Sequence, residues 1–217
     1  MSGLAIPFYY GLGSRYSYLA ATQLNRIERS ANVRFEWLPL QSGDLIRRAN
    51  DGRSPFDKGG CSGQYDWDYR KRDAEAWAAL YGVPYREPAP FELDPADLSK
   101  ACWTAETHGL LKAMSWRLFQ AIFVEGLSMS RSMLGRLASE VGLVGVDIET
   151  ALDAPWVESR HEAALNRALE DGAFGVPSFV VAGQIFWGND RLPMVEHAFA
   201  KARCVGCLSS PIEPGTG

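Results

Sequence analysis

The chain has 217 residues, 47% of them hydrophobic and 22% charged, with a net charge of −4. That is enough for one substantial domain, or a core domain carrying an insertion, and the composition gives no sign of disorder. The acidic balance argues against a nucleic-acid partner, and no run approaches the roughly 18 apolar residues that span a bilayer, so a cytoplasmic protein is expected.

Ile6 to Tyr10 is a short apolar and aromatic run suited to a buried strand. Gly11 and Gly13 interrupt it, and Ser14 to Ser17 can cap a helix whose apolar spacing runs from Tyr18 to Arg29. Val33 to Leu40 alternates as a half-buried strand, so strand, helix and strand form a βαβ unit with parallel strands. A short helix is expected over residues 44–49 and a loop over 50–64. Helices follow over 66–81 and through 96–126, the latter as two helices or one bent near Gly109, with an extended proline-rich crossing from Pro84 to Pro95 between them. Further helices are expected over 130–141, 147–152 and 158–171, the last stopped by Gly172.

Next comes Phe174-Gly175-Val176-Pro177, a strand, a two-residue turn at Ala182-Gly183, a second strand, and a final helix over 191–203 opened by Asn189-Asp190. A proline directly before an apolar strand removes a ladder donor and restricts its predecessor. Such a step is economical if Pro177 is cis and the Val176 backbone is held out for an extended peptide to pair with, as in thioredoxin-like folds. The predicted fold class is therefore α/β: a thioredoxin-like domain (residues 1–65 and 160–208), a large all-α insertion (66–159) and a disordered tail (209–217).

The chemistry is expected at two turns. Ser14 stands at a helix start, where free N–H groups and the helix dipole favour negative charge. A redox thioredoxin-like protein has Cys-x-x-Cys there. This chain has Ser14-Arg15-Tyr16-Ser17, which excludes dithiol exchange through these residues. Ser14 is then either a hydroxyl that donates to a thiolate brought by another molecule, or simply an N-cap. At the other turn, amides at Asn189-Asp190 can take up a carboxylate while Asp190 pairs with an ammonium. Alone, Asp190 reads equally as a capping residue. With Val176 between the two turns, the three features describe a site for a short peptide bearing an amino-acid end and a thiol, namely glutathione.

The segments from Phe8 to Ala20, Phe174 to Val181 and Phe186 to Arg191 resemble the 2-hydroxychromene-2-carboxylate isomerase family, neighbours of the kappa-class glutathione transferases and DsbA-like oxidoreductases. The similarity runs roughly from Ile6 to Ala202. It implies a glutathione-dependent isomerase of aromatic degradation and a homodimer. In that family the serine matching Ser14 holds the glutathione thiolate. The residue matching Val176 pairs with the cysteinyl backbone ahead of the cis proline matching Pro177, and those matching Asn189 and Asp190 meet the γ-glutamyl end. The family also uses a lysine or asparagine from the loop after the second strand, for which Lys58 is the candidate. Relatives commonly have proline where Arg15 stands; a guanidinium there either binds a substrate carboxylate, lowers the thiol pKa, or is solvated. Tyr16, Trp37, Trp103 and Trp187 are candidates for an aromatic substrate pocket. A glutathione-conjugating transferase and a non-catalytic peptide-binding domain are the rival functions.

Cys61, Cys102, Cys204 and Cys207 read as free thiols; Cys204 and Cys207 have CxxC spacing without a second pair, so no metal site is expected. His108, His161 and His197 stand alone on their helices, and Arg70-Lys71-Arg72 reads as a solvated helix face.

Overall fold

The computed structural model describes residues 5–57 and 63–208. Lys58, Cys61 and the expected disordered tail therefore lie outside the described residues. Strand β1 (Ala5–Tyr10) pairs in parallel with β2 (Arg34–Pro39), and helix α1 (Arg15–Ala31) connects them. β3 (Ser178–Val181) runs antiparallel to β1, and β4 (Gln184–Trp187) antiparallel to β3, giving the order β2-β1-β3-β4. Pro39 ends an edge strand, where a missing N–H is tolerated. At the β3–β4 turn both Ala182 (φ 49°) and Gly183 (φ 76°) are left-handed, as a tight two-residue hairpin loop requires.

Helix α2 (Ser42–Ala49) follows β2, and α3 (Trp67–Tyr81) starts at the Asp66 cap and stops at Gly82 in the left-handed region. α4 (Pro95–Glu106) and α5 (Leu111–Gln120) are separated at Gly109, where the sequence predicts a break or a bend. α5 passes into a π-helical turn, Ala121–Glu125. Then come α6 (Arg131–Glu140), α7 (Ile148–Ala151), α8 (Pro155–Glu170) and, after the hairpin, α9 (Leu192–Leu208). α8 begins three residues before its expected start because Pro155 occupies N1, where its missing donor costs nothing.

Alternation along the strands sends successive side chains to opposite faces. Phe8, Tyr10, Phe35, Trp37 and Phe179 join one cluster with residues of α1, α3–α7 and α9. Tyr9, Leu38 and Leu40 join a second with residues of α2 and α8. Both faces of the sheet are thus covered. The helices between α2 and α8 share the sheet's own core, with Phe119 against both Tyr10 and Tyr18.

Candidate functional site

The turn after β1 is held by its own chain. The Ser14 amide donates to the Gly11 carbonyl at 3.0 Å, and the Gly11 amide donates to Ser17 Oγ at 3.3 Å. Ser14 is the N-cap of α1, its Oγ accepting the Ser17 N–H at 3.2 Å. That bond uses a lone pair and leaves the hydroxyl hydrogen available to donate. A Cβ on Gly11 would lie 2.0 Å from Ser42 Oγ and 3.4 Å from Val176 Cγ2. The missing side chain is what allows this turn, α2 and the Val176 segment to converge.

The Val176–Pro177 peptide is cis. β3 begins at Ser178, so Val176 lies ahead of the sheet's pairing register. The Pro177 carbonyl accepts the Gly188 N–H at 2.9 Å, tying this segment to the turn before the last helix. There Asn189 and Asp190 open a short 3-10 turn that leads into α9. Asn189 is buried; its carbonyl accepts the Tyr81 hydroxyl at 3.2 Å, while its Nδ2 has no hydrogen-bond partner among the described residues. A buried amide donor without a partner is costly and calls for an acceptor. Asp190 is half-exposed, with Oδ2 3.4 Å from Arg191 Nε.

Two adjoining cavities join these turns. One, of about 410 Å³, is walled by Ser14, Arg15, Ile46, Phe56 and Trp67 among others. The other, of about 330 Å³, is walled by Tyr16, Asp73, Trp77, Asn189 and Asp190. Tyr65, Arg70, Val176 and Trp187 belong to both walls, so the two form one groove. Ser14, Val176, Asn189 and Asp190 are brought together along it, and Pro177 adjoins Val176 behind the wall. Tyr16 faces the Asp190 end. Its hydroxyl donates to Asp73 at 2.8 Å, and burial followed by that bond keeps the phenol protonated far above its ordinary range. Asn50, which caps the C-terminus of α2, lies in the Ser14 wall and comes from the same loop region as the candidate Lys58.

Trp37 does not line the groove. Alternation on β2 turns it into the larger core cluster, against Phe8, Tyr10 and Trp116. Trp103 is also corrected: it is buried on the opposite face, its Nε1 donating to the Pro39 carbonyl at 3.1 Å. Of the candidate tryptophans, Trp187 lines the groove, joined by Trp67 and Trp77.

Arg70 departs from its sequence expectation. It is not a solvated residue but a half-buried one in the wall of both cavities. Trp67, Arg70, Asp73 and Trp77 recur at helical spacing along the groove face of α3, a pattern readable from the sequence but masked by the neighbouring Lys71 and Arg72. Arg15 is 8% exposed, ion-paired to Glu87, and not solvated. His161 is buried against Ser99, its Nδ1 3.0 Å from the hydroxyl, and lines neither cavity. Among the described residues no group of three histidine, cysteine or carboxylate side chains is placed to hold a metal ion, and no helix is long and apolar enough to cross a membrane.

A family model described as a DSBA-like thioredoxin domain matches residues 5–200. The 2-hydroxychromene-2-carboxylate isomerase of Pseudomonas putida is 28% identical over 200 residues, covering 91% of this chain and 95% of that protein. The enzyme of the same name from Sphingobium xenophagum is 29% identical over 198 residues, covering 88% and 95%. Among solved structures, a selenomethionine 2-hydroxychromene-2-carboxylate isomerase superposes with a TM-score of 0.78 at 25% identity, covering 95% of this chain and all of the other. The cytosolic disulfide reductase DsbM of Pseudomonas aeruginosa with GSH is alike in fold, with a TM-score of 0.61, 18% identity, and coverage of 93% and 98%.

Proposed function

We propose, for a chain that belongs to the DSBA-like thioredoxin domain family, that the groove binds glutathione and that the protein is a glutathione-dependent isomerase of 2-hydroxychromene-2-carboxylate or a closely related aromatic-degradation intermediate. One observation carries this: the groove has a helix-start hydroxyl at one end, a buried amide without a partner among the described residues beside a carboxylate at the other, and Val176 in the shared wall. The isomerase relatives support the reaction class, and the structure of DsbM with GSH supports the ligand.

The residues present suit glutathione. Asn189 Nδ2 supplies the donor that an α-carboxylate would satisfy, and Asp190 supplies the counter-charge for the neighbouring ammonium. Val176 lies just ahead of β3, outside the sheet's own pairing, where its backbone can meet a peptide. Ser14 donates its hydroxyl hydrogen toward sulfur while the α1 amide terminus stabilises negative charge there, so a thiol is held more acidic than in water. When bound, glutathione supplies a thiolate able to add reversibly to a conjugated carbon, so that a former double bond rotates before elimination. Arg15 and Asn50 border the space beyond Ser14, where the organic substrate lies. A homodimer and a cytoplasmic setting accompany this proposal, and sedimentation of the purified protein tests the first.

Calorimetric titration with glutathione tests the binding half. Wild type binds, Asp190→Ala binds markedly less, and Ser14→Ala raises the pKa of the bound thiol, read from the thiolate ultraviolet band. If neither change alters glutathione binding or its ionisation, the assignment is wrong. Spectroscopic assay with 2-hydroxychromene-2-carboxylate tests the chemistry: an isomer and unconsumed glutathione are expected. A glutathione conjugate would make the protein a transferase.

A further inference from the structure

Two positive charges converge on one ring in the Ser14 cavity. The Arg15 guanidinium carbon lies 5.5 Å from the Trp67 centroid, and that of Arg70 lies 5.9 Å from it. Arg70 is further enclosed by Phe56 at 5.3 Å and Tyr16 at 5.0 Å. Neither guanidinium is loosely placed. Arg15 is held by Glu87, whose second oxygen accepts the Tyr85 hydroxyl at 2.7 Å, and Arg15 Nε is buried without a hydrogen-bond partner among the described residues. A guanidinium packed among rings is fixed in orientation, and its edge is the part that meets a carboxylate. Burial lowers the Arg70 pKa; the nearby Arg15 charge adds to this, while Tyr16 and Asp73 oppose it.

The shape of the space indicates which anion. Ile46, Pro55, Phe56 and Trp67 give the Ser14 cavity an apolar body, and about 410 Å³ suits a small planar ring system. Arg15, Phe56 and Trp67 line this cavity and not the one at Asn189-Asp190, while Arg70 lines both, so the pair reaches from the substrate side to where the two cavities adjoin. We propose that Arg70, with Arg15 beside it, is the specificity-determining anchor for the carboxylate of a planar aromatic acid, presenting its conjugated carbon toward Ser14. This inference rests on the function proposed above and adds the substrate's recognition element to it. The planar guanidinium fork matches a carboxylate with two parallel hydrogen bonds, which a neutral amide cannot reproduce.

Cinnamate and cinnamamide, equal in shape and different in charge, test the anchor by calorimetry on the full chain, with and without glutathione. Wild type is expected to bind cinnamate at least tenfold more tightly than cinnamamide. Arg70→Met should bring that ratio near one, with a wild-type circular-dichroism spectrum and cooperative thermal unfolding reporting that the variant is folded. Arg70→Lys should keep part of the preference. Three results overturn the proposal: no preference for the acid in wild type, a preference unchanged in Arg70→Met, or a tenfold loss of glutathione affinity in that variant, which would assign Arg70 to the tripeptide. Should Arg70→Met not fold, an Arg70→Lys preference equal to wild type overturns it equally. If wild type fails to bind glutathione, the parent function falls, and the cinnamate ratio measured without glutathione still judges the arginine pair.

Discussion

The two ends of the groove solve different recognition problems. At the Asn189-Asp190 end a buried amide donor lacks a partner among the described residues and a carboxylate stands half-exposed, so much of the polar capacity is left for a ligand. At the Ser14 end Ser14 Oγ caps α1 and Arg15 pairs with Glu87, and aromatic and aliphatic side chains supply much of the wall around Arg70. The first end suits a zwitterionic head group fixed by directed bonds. The second suits a flat apolar body oriented by one charge. Unsatisfied donors bring affinity at a defined point, whereas an apolar wall with few polar groups selects by shape and by the one charge it holds.

Substitutions can break or sharpen this contrast. The largest effect is expected outside both ends. Trp37→Ala empties a buried ring site packed by Phe8, Tyr10 and Trp116. It should cost about 3–5 kcal/mol, lowering the thermal midpoint by roughly 10 °C in calorimetric scanning, with glutathione affinity unchanged. A large affinity loss in a still-folded Trp37→Ala would return this residue to the site. Next, Asp190→Ala removes one charged partner and should weaken glutathione binding roughly tenfold, measured by titration. Asn189→Ala removes the buried donor but keeps the backbone carbonyl that Tyr81 uses; about 1 kcal/mol, or roughly fivefold in affinity, is expected. An affinity equal to wild type there would make the two ends alike. Ser14→Ala should have the smallest effect on affinity. It removes a helix cap worth about 1 kcal/mol, visible as a fall of a few degrees in thermal midpoint, and moves the bound thiol's pKa upward.

The span of α3 to within a residue, the break near Gly109 and the hairpin at Ala182-Gly183 were all legible, because each depends on a few adjacent residues. So was the placing of Ser14, Asn189 and Asp190, each between a strand end and a helix start, and of Val176, directly before the proline that leads into β3. The aromatic lining was not. Alternation puts Trp37 and Leu38 on opposite faces of β2, but both faces of this sheet are covered, so either residue could be core. The π-helical turn was hidden for a similar reason: the Phe123 carbonyl accepts the Arg86 N–H at 2.6 Å from the distant extended crossing.

What the amino-acid order determined by itself is the sequence of elements, the parallel βαβ unit and the absence of cysteine from the Ser14 turn, because caps, periodicity and residue chemistry act over a few positions. Only the tertiary structure decided that Trp37 packs inward while Trp67 and Arg70 face the groove, and that Arg15 meets Glu87 across 72 positions of chain. Those outcomes depend on which distant element covers a given face, and hydrophobic attraction is too non-directional for a local pattern to specify that partner.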